Sequence, residues 1–521
     1  MRKFPLSRYA LAMAAGLVAS LALPPIGLTL GLFALSIPAL MVMRRDDTPH
    51  PTIRDVFLLG WATGGGWFVV SLYWISNALV TSGGWHLLLV PLAGLGLPLF
   101  LGLFWGGGFA LAHALTGALR LGPVPAVVML AASLSAAEYL RGHVLTGFPW
   151  NAPGLVAASH DLGLAASSLI GYWGMGLVAL IFGMLPALLI CGDRYRSARL
   201  WGGAMLAAMA GLLVAAHMHL SSAAVNSSAS GMMVRLVQPN IAQMEKWQRD
   251  RRPGHLAALV AASRRPVTAP LDLIVWPETA FAGSYDREPG VLTAITQAAS
   301  SGSTPVLTGV LRVENDPFAL FNAMMVMAPD GEVLGSASKA HLVPFGEYAP
   351  MRDYIPFADA IAGPYDFSPG EAGVALTITR QDGRVIRILP LICYEIIFPG
   401  AVRRNFDRAE AEVMVVITND AWFGNSIGPR QHLAMAQMRA AEMGRPVVRV
   451  ANTGISAMIN SSGMITHRIE YGTAGVADAF IGGTKATYYH RFGDRIYLGM
   501  LVMVILAAAL HPRLTRYMGR E

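Results

Sequence analysis

The chain has 521 residues, of which 54% are hydrophobic and 14% are charged, and its formal net charge is +7. Soluble domains have about 25% charged residues, so this composition, with a mean hydropathy of +0.48, excludes an ordinary soluble protein and predicts a membrane protein. Residues 11–220 are poor in charge, whereas residues 232–495 have the polarity of a soluble domain. The sequence therefore predicts two modules.

The first module contains apolar runs long enough to cross a membrane, which takes roughly 20 helical residues. Seven spans are predicted before residue 225 and an eighth near the end: 9–23, 27–42, 56–79, 87–115, 124–140, 164–191, 200–220 and 496–510. The start of the chain also resembles a signal peptide, but its continuation into a second apolar run favours an uncleaved first helix. We expect a transmembrane domain over 1–225, a soluble domain over 230–488, and a last transmembrane helix with its tail over 494–521.

Basic residues indicate the orientation, because Lys and Arg beside short loops stay in the cytoplasm. They precede the first span, follow the second, fourth and sixth spans, and end the chain: Arg2, Lys3, Arg8, Arg44, Arg45, Arg54, Arg120, Arg194, Arg196, Arg199, Arg513, Arg516 and Arg520. The alternate loops are nearly free of them, with Arg141 as the main exception. Both termini are therefore predicted to be cytoplasmic, and the soluble module is predicted to lie in a periplasm-like space.

The soluble module alternates strand-like and helix-like segments. Strands are predicted from short runs rich in β-branched residues: "MMVRLVQ", "LDLIVW", "TPVLTGVLRV", "FNAMMVMAPDGEVLG" with its Asp330-Gly331 turn, "RVIRILPLICYE", "EVMVVITND", "PVVRVANTG" and "SAMINSSG". "HLAALVAASRR" and "PRQHLAMAQMRAAEMG" are predicted to be helices. Strands outnumber helices, so an α/β sandwich with sheets inside and helices outside fits better than one doubly wound sheet.

Three polar residues mark the ends of these strands or the loops after them. Glu278 follows "LIVW" through Pro277, and Cys393 ends "RILPLIC". Strand ends are where α/β folds present chemistry. Lys339 lies in "SKAHLVPFGEY". A compact lysine ammonium is well suited to stabilise an oxyanion that exists only transiently during a reaction. Each residue alone also has a structural explanation, since a strand-end glutamate is often a cap and a lysine is often a solvated charge.

The chain has two cysteines, Cys191 and Cys393. The predicted topology places Cys191 at the cytoplasmic end of the sixth span and Cys393 outside, so the bilayer separates them and they cannot pair. An unpaired thiol in an oxidising compartment is either buried and inert or kept for its reactivity. Burial statistics alone favour the inert alternative, because free cysteine packs like a small hydrophobe.

The segments "IVWPETA", "SKAHLVPFGEY" and "LICYEIIFP" resemble the Glu-Lys-Cys triad segments of the nitrilase, or carbon–nitrogen hydrolase, superfamily. The eight apolar spans, "VQPNIAQMEKW", "GFPW" and "TNDAWFGNSIGPRQHLAMAQMRAAEMGRPVVRVANTGISA" are similar to one branch, the apolipoprotein N-acyltransferases. The resemblance covers nearly the whole chain and implies an external αββα sandwich beside a multi-pass membrane domain. One departure is Ala337, because the family often has an aromatic residue two positions before the lysine.

The resemblance implies transfer of a fatty acyl group from the sn-1 ester of a membrane phospholipid to the α-amine of an S-diacylglyceryl cysteine, the last step of lipoprotein maturation. It also implies the bacterial inner membrane, with a periplasmic catalytic domain. Cys393 would form a thioester in a ping-pong mechanism, Glu278 would move the proton, and Lys339 would stabilise the oxyanion. Glu347 would support Lys339. Tyr394 and Glu395 would shape the pocket or have structural roles.

Two glycine- and proline-rich segments, "TAFAGSY" and "YIPFADAIAGPYDFSPG", are predicted to be arms that line an acyl-chain pocket and enter the membrane interface. The apolar and aromatic residues of these two segments are Phe281, Tyr285, Tyr354, Ile355, Phe357, Tyr365 and Phe367. Trp247 of "EKWQRD" is expected to join them. The substrate contacts are expected from Trp247, Phe281, Phe357 and Tyr365. Ordinary loop packing is the alternative.

Two other functions are weighed against acyl transfer. A membrane-anchored amidase or other hydrolase would use the same triad, and a transporter would need ionisable groups inside the spans, where Glu138 and His113 lie. No metal or organic cofactor is expected, because no phosphate-binding glycine loop or Cys/His cluster is present in the sequence. The expected partners are the phospholipid donor, the diacylated apolipoprotein and the bilayer, with no nucleic acid, and we expect a monomer.

Overall fold

The structure is a computed structural model that describes residues 5–42, 51–191, 196–221, 231–354, 359, 363 and 365–518. The described residues divide into two compact units. One unit lies within residues 1–76, 88–222 and 487–521 and is helical. The other lies within residues 77–87 and 223–486 and contains all the described strands.

An apolar helix lies at each of the eight positions where the sequence predicts a membrane span. Five described helical segments are long and apolar enough to cross a membrane: Ile53–Thr81, His86–Ala118, Pro123–Arg141, Asp161–Ile190 and Arg199–Ser221. Three shorter apolar helices cover Leu6–Ser20, Thr29–Val42 and Arg495–His511. The prediction of a multi-pass helical domain is thus confirmed by length and composition, while the exact count of eight spans is not confirmed.

Close backbone contacts join the helices Leu6–Ser20 and Ile53–Leu72. A Cβ atom at Gly16 would lie 1.9 Å from the carbonyl oxygen of Thr63, and one at Gly66 would lie 2.0 Å from that of Met13. Only glycine therefore fits at these two positions. Small residues at helix contacts are typical of membrane domains, where close packing replaces the hydrophobic effect between helices.

The ionisable residues Glu138 and Arg141 pair with each other inside the helical unit. Their side chains are 2% and 1% exposed, and Arg141 Nη2 lies 2.7 Å from Glu138 Oε2. Trp105 Nε1 donates to Glu138 Oε1 at 2.9 Å, and Arg141 Nη1 donates to the carbonyl oxygens of Phe148 and Trp150. This pair fixes the irregular "GFPW" segment, which gives both charges a structural role.

The second unit contains two six-stranded sheets, whose strands are numbered in chain order. The first seven are β1 Met232–Gln238, β2 Leu273–Val275, β3 Val306–Asn315, β4 Phe318–Met327, β5 Val333–Ser338, β6 Leu376–Thr379 and β7 Val385–Ile392. The others are β8 Val413–Thr418, β9 Val447–Ala451, β10 Ser456–Ile459, β11 Ile465–Ile469 and β12 Gly475–Ile481. The strand order is β12-β1-β2-β3-β4-β5 in one sheet and β11-β10-β9-β8-β7-β6 in the other.

The hydrophobic core lies between the two sheets. Val234, Val275 and Val326 of the first sheet share one buried cluster with Val415 and Val450 of the second. A separate cluster packs the helices Arg252–Ser263 and Pro289–Ser300 on the outer face of the first sheet. The helix Pro399–Ala409 contacts β7 of the second sheet, and the helix Gly428–Met443 contacts β9 of the same sheet. The predicted αββα sandwich is therefore confirmed.

Three strands were not anticipated from the sequence, namely β6, β11 and β12. Each lies at an edge of its sheet. Edge strands are only partly covered, so β6 alternates buried and exposed residues and β11 is mostly exposed. Such strands lack the continuous apolar run by which a central strand is recognised.

Candidate active site

Glu278 follows β2 after Trp276 and Pro277, and β2 is a parallel strand between β1 and β3. Its turn presses against β3, because a Cβ atom at Gly309 would lie only 2.7 Å from the Cα atom of Glu278 and 2.4 Å from the amide nitrogen of Thr279. Thr279 has a φ of 45°, which is uncommon for a residue other than glycine. The glycine in β3 therefore permits the turn that places the Glu278 side chain, which is 8% exposed.

A hydrogen-bonded chain connects Glu278 to Lys339. Asn322 Nδ2, in β4, donates to Glu278 Oε1 at 2.7 Å and to Glu347 Oε1 at 3.2 Å. Lys339 Nζ lies 2.8 Å from the Glu347 carboxylate. The sheet sets this arrangement, since the amide nitrogen of Lys339 donates to the carbonyl oxygen of Asn322 at 2.8 Å. The sequence analysis anticipated Glu278, Lys339 and Glu347 but missed the connecting Asn322.

Cys393 lies at the end of β7 with a φ of 53°, in the left-handed region. It begins a short helical turn, Cys393–Ile397, that the Glu395 carboxylate holds. Glu395 Oε2 accepts from the amide of Ile392 at 2.8 Å, and Oε1 accepts from the amides of Ala340 and His341 at 2.9 and 3.1 Å. Glu395 thus ties the cysteine turn to the segment that follows Lys339, which supports the structural alternative for this residue.

A second buried network lies behind the cysteine. His432 Nε2 is 3.1 Å from the carbonyl oxygen of Cys393, and His432 Nδ1 is 2.9 Å from Asp420 Oδ1. Arg449 Nη2 is 2.6 Å from Asp420 Oδ2, and all three side chains are fully buried. Gly454 makes room, because a Cβ atom there would lie 2.4 Å from Asp420 Oδ2. Sequence reasoning missed these residues, although Arg449 within the apolar "VVRVA" was a signal.

Burial and neighbouring charges set the protonation of the three groups. Burial and the charge of Glu278 raise the pKa of the Cys393 thiol, while Lys339 opposes this rise. Burial also raises the pKa of Glu278, and Lys339 limits the rise. Burial disfavours the Lys339 ammonium, but the charges of Glu347, Cys393 and Glu278 together outweigh burial, and the pKa of Lys339 is raised. A protonated thiol therefore lies beside a carboxylate and a persistent cation, as a base-assisted nucleophile requires.

Another lysine belongs to this neighbourhood and was missed. Lys246, at the end of the short helix Gln243–Lys246, is 2% exposed, and its Nζ donates to the carbonyl oxygen of Glu278 at 3.0 Å. Its pKa is lowered to about 8, because burial outweighs the attraction of Glu278 and Cys393.

The remaining predicted contacts lie in different environments. Tyr394 is buried, with its ring centroid 5.0 Å from that of Phe398. Trp247 and Tyr365 are 49% and 62% exposed, and their contact with substrate stays a prediction. Phe281, in contrast, is fully buried in the cluster outside the first sheet, under the Arg252 guanidinium at 4.6 Å. Its apolar ring fills core space there, which corrects the expectation of an exposed arm residue.

Two further sequence expectations concern single positions. Phe357 lies outside the described residues. Ala337, where the family often has an aromatic residue, belongs to the core between the sheets and is 7% exposed. The small side chain of Ala337 packs with the buried residues of this core.

Comparisons with known proteins match both units. The carbon-nitrogen hydrolase family matches residues 233–483, and the apolipoprotein N-acyltransferase N-terminal domain matches residues 15–185. An apolipoprotein N-acyltransferase of Agrobacterium fabrum is 34% identical over 98% of this chain and 96% of its own length. One of Brucella suis is 33% identical over 96% of this chain and 94% of its own length. The crystal structure of Saccharomyces cerevisiae Nit3, a nitrilase superfamily member, covers 50% of this chain and 92% of its own, with a TM-score of 0.37 and 17% identity.

Proposed function

Because the chain belongs to the apolipoprotein N-acyltransferase family, we propose that it moves a fatty acyl group from the sn-1 ester of a membrane phospholipid to the α-amine of an S-diacylglyceryl cysteine. The observation that carries this proposal is the hydrogen-bonded chain from Glu278 through Asn322 and Glu347 to Lys339, in the same charged site as the thiol of Cys393. This site has the groups needed for a thioester mechanism.

In the first half-reaction, Cys393 Sγ attacks the ester carbonyl of the phospholipid while Glu278 accepts the thiol proton. The raised pKa of the thiol makes this base necessary, because burial keeps the sulfur protonated. Negative charge develops on the carbonyl oxygen, where the Lys339 ammonium stabilises it. The C–O bond then breaks, and Glu278 returns the proton to the oxygen of the departing lysophospholipid.

In the second half-reaction, the amine of the acceptor attacks the thioester carbonyl. Glu278 accepts a proton from the amine, the C–S bond breaks, and the proton returns to the sulfur as the amide forms. Glu347 holds Lys339 at 2.8 Å through both steps and prevents the ammonium from being neutralised. The two products leave in turn, which gives ping-pong kinetics.

We propose that the reaction takes place at the periplasmic face of a bacterial inner membrane, with both termini in the cytoplasm. The transmembrane parts would be residues 1–225 and 494–521, and the catalytic domain residues 230–488. Exposed aromatic side chains such as Trp247 and Tyr365 would contact the lipid. A membrane-anchored amidase would use the same three groups, but membership of the transferase family along almost the whole chain favours the amine over water as acceptor.

The test is intact-protein mass spectrometry after brief incubation of the detergent-purified protein with a phospholipid of defined acyl chains. We expect one added acyl mass that hydroxylamine removes, and none in Cys393→Ser. Cys191→Ser is the matched control and should acylate normally. Addition of a diacylglyceryl-cysteine peptide should discharge the adduct and yield the N-acyl peptide. Unmodified protein with intact phospholipid would contradict the donor, and release of free fatty acid alone would favour the hydrolase.

A further inference from the structure

Lys246 is a buried lysine that the acyl-transfer steps do not use. The chain has four lysines, Lys3, Lys246, Lys339 and Lys485, among 39 basic residues. Lysine is rarely buried unless it is paired, because removing an ammonium from water is costly. Lys246 is 2% exposed, yet no carboxylate in the described residues forms an ion pair with it. It differs in this respect from Lys339, whose ammonium has Glu347 as its partner.

The geometry connects Lys246 to the backbone of the proposed base. Its Nζ donates to the carbonyl oxygen of Glu278 at 3.0 Å. On the other side of the same turn, Gly309 of β3 approaches the Cα atom of Glu278, and the next residue, Thr279, is left-handed. A side-chain donor therefore holds a turn whose backbone is both crowded and strained.

The charges that face the Glu278 carboxylate are those of Lys339, Glu347 and Lys246. Glu347 disfavours the ionised form of Glu278, and the two ammonium groups favour it. Lys246 in turn is influenced by Glu278 and Cys393. Lys339 is already bonded to Glu347, so Lys246 is a second and separate source of positive charge beside the base.

We propose that Lys246 is a positioning residue of the active site, which fixes the backbone of Glu278 and adds to the positive charge by which Lys339 favours its ionised carboxylate. The inference rests on the proposed role of Glu278 as the base. An ionised Glu278 is needed twice, first to accept the thiol proton and then to accept a proton from the acceptor amine. Without Lys246, burial and Glu347 would leave more of the carboxylate protonated at neutral pH.

The experiment measures the rate of thioester formation on the full-length protein between pH 5 and pH 8, with the phospholipid of defined acyl chains as probe. Lys246→Met removes the charge at similar volume, and Lys246→Gln keeps N–H donors without the charge. Lys485→Met is the matched control, because Lys485 is also buried in the second unit, whereas the charges that shift the pKa of Glu278 are those of Lys339, Glu347 and Lys246. Thermal unfolding of each variant reports whether it is folded.

We expect the acidic limb of the profile to move to higher pH in both Lys246 variants. Acylation below the pKa of Glu278 should then be slower than in wild type, by about tenfold for each pKa unit of the movement. Lys485→Met should retain the wild-type profile. A folded Lys246→Met protein with the wild-type profile would overturn the inference, and so would loss of folding in both Lys246 variants, which would make the residue structural. Failure of the proposed function is distinguishable, because wild type itself would then form no thioester. Failure of the proposed base role alone would leave Glu278→Gln acylating at the wild-type rate.

Discussion

Replacing Asn322 with leucine tests whether the amide between the two carboxylates keeps the base active. Leucine has a similar volume but cannot donate to Glu278 Oε1, which lies 2.7 Å from Asn322 Nδ2. A hydrogen bond to a charged group contributes about 1.5–3 kcal/mol, and each 1.4 kcal/mol is about tenfold in an equilibrium. The bond favours the ionised form, so its loss raises the pKa of Glu278 further. At pH values below the pKa of Glu278, we expect the ionised fraction of its carboxylate to fall by roughly ten- to a hundredfold.

The assay is the rate of thioester formation as a function of pH, followed by intact mass. Below neutral pH, Asn322→Leu should be slower than wild type by the same factor, and the difference should shrink as the pH rises. Asn315→Leu is the control, because Asn315 is exposed at the end of β3 on the same hairpin. A loss of rate that is equal at every pH would refute the electrostatic reasoning and indicate a change in the position of Glu278 instead.

Three further outcomes are expected. Lys339→Met should slow acylation about a hundred- to a thousandfold, the usual effect of losing an oxyanion donor, with the phospholipid KM little changed in steady-state kinetics. His432→Leu removes the donor 3.1 Å from the Cys393 carbonyl and should slow single-turnover acylation by roughly tenfold, whereas His432→Gln should recover part of the rate. The charges of Arg449 and His432 outweigh burial and lower the pKa of Asp420 to about 2. The ionised carboxylate therefore contributes about 2 kcal/mol to the free energy of unfolding above pH 4, and this contribution is lost as the pH falls through 2. Denaturant unfolding should show a smaller loss on acidification in Asp420→Asn, and an equal loss would contradict the assignment.

The general architecture could be predicted because long apolar helices and central strands have strong patterns. Glu278 and Cys393 were recognisable because each follows a buried strand, where a polar residue stands out. Asn322 was not, because its partners Glu278 and Glu347 are 44 and 25 residues away. The pairing of β2 with β3, β3 with β4 and β4 with β5 brings the three residues together. Lys246 was missed for a similar reason, since the carbonyl oxygen to which it donates, that of Glu278, is 32 residues away in the sequence.

In the aromatic loops, the sequence analysis assigned a substrate-binding role to a residue that is buried in the core. Phe281 and Tyr365 look alike in sequence, as rings among glycines and prolines, but one is fully buried and the other is 62% exposed. The difference comes from the core outside the first sheet, which accepts the ring of Phe281 beside Trp276. Tertiary packing of this kind cannot be derived from local composition.

The hydrogen bonds of Glu395 connect the two sheets of the catalytic unit. Its carboxylate accepts hydrogen bonds from Ala340 and His341, which follow β5 of the first sheet, and from Ile392, which ends β7 of the second. The sulfur thus stands on one sheet, while the ammonium and the base stand on the other. Any shear between the sheets would separate the nucleophile from the groups that serve it. The hydrogen bonds of Glu395 oppose such a shear, because they join the two sheets next to the site. Substitutions in the core that shift one sheet against the other would therefore change turnover without contacting a reacting atom.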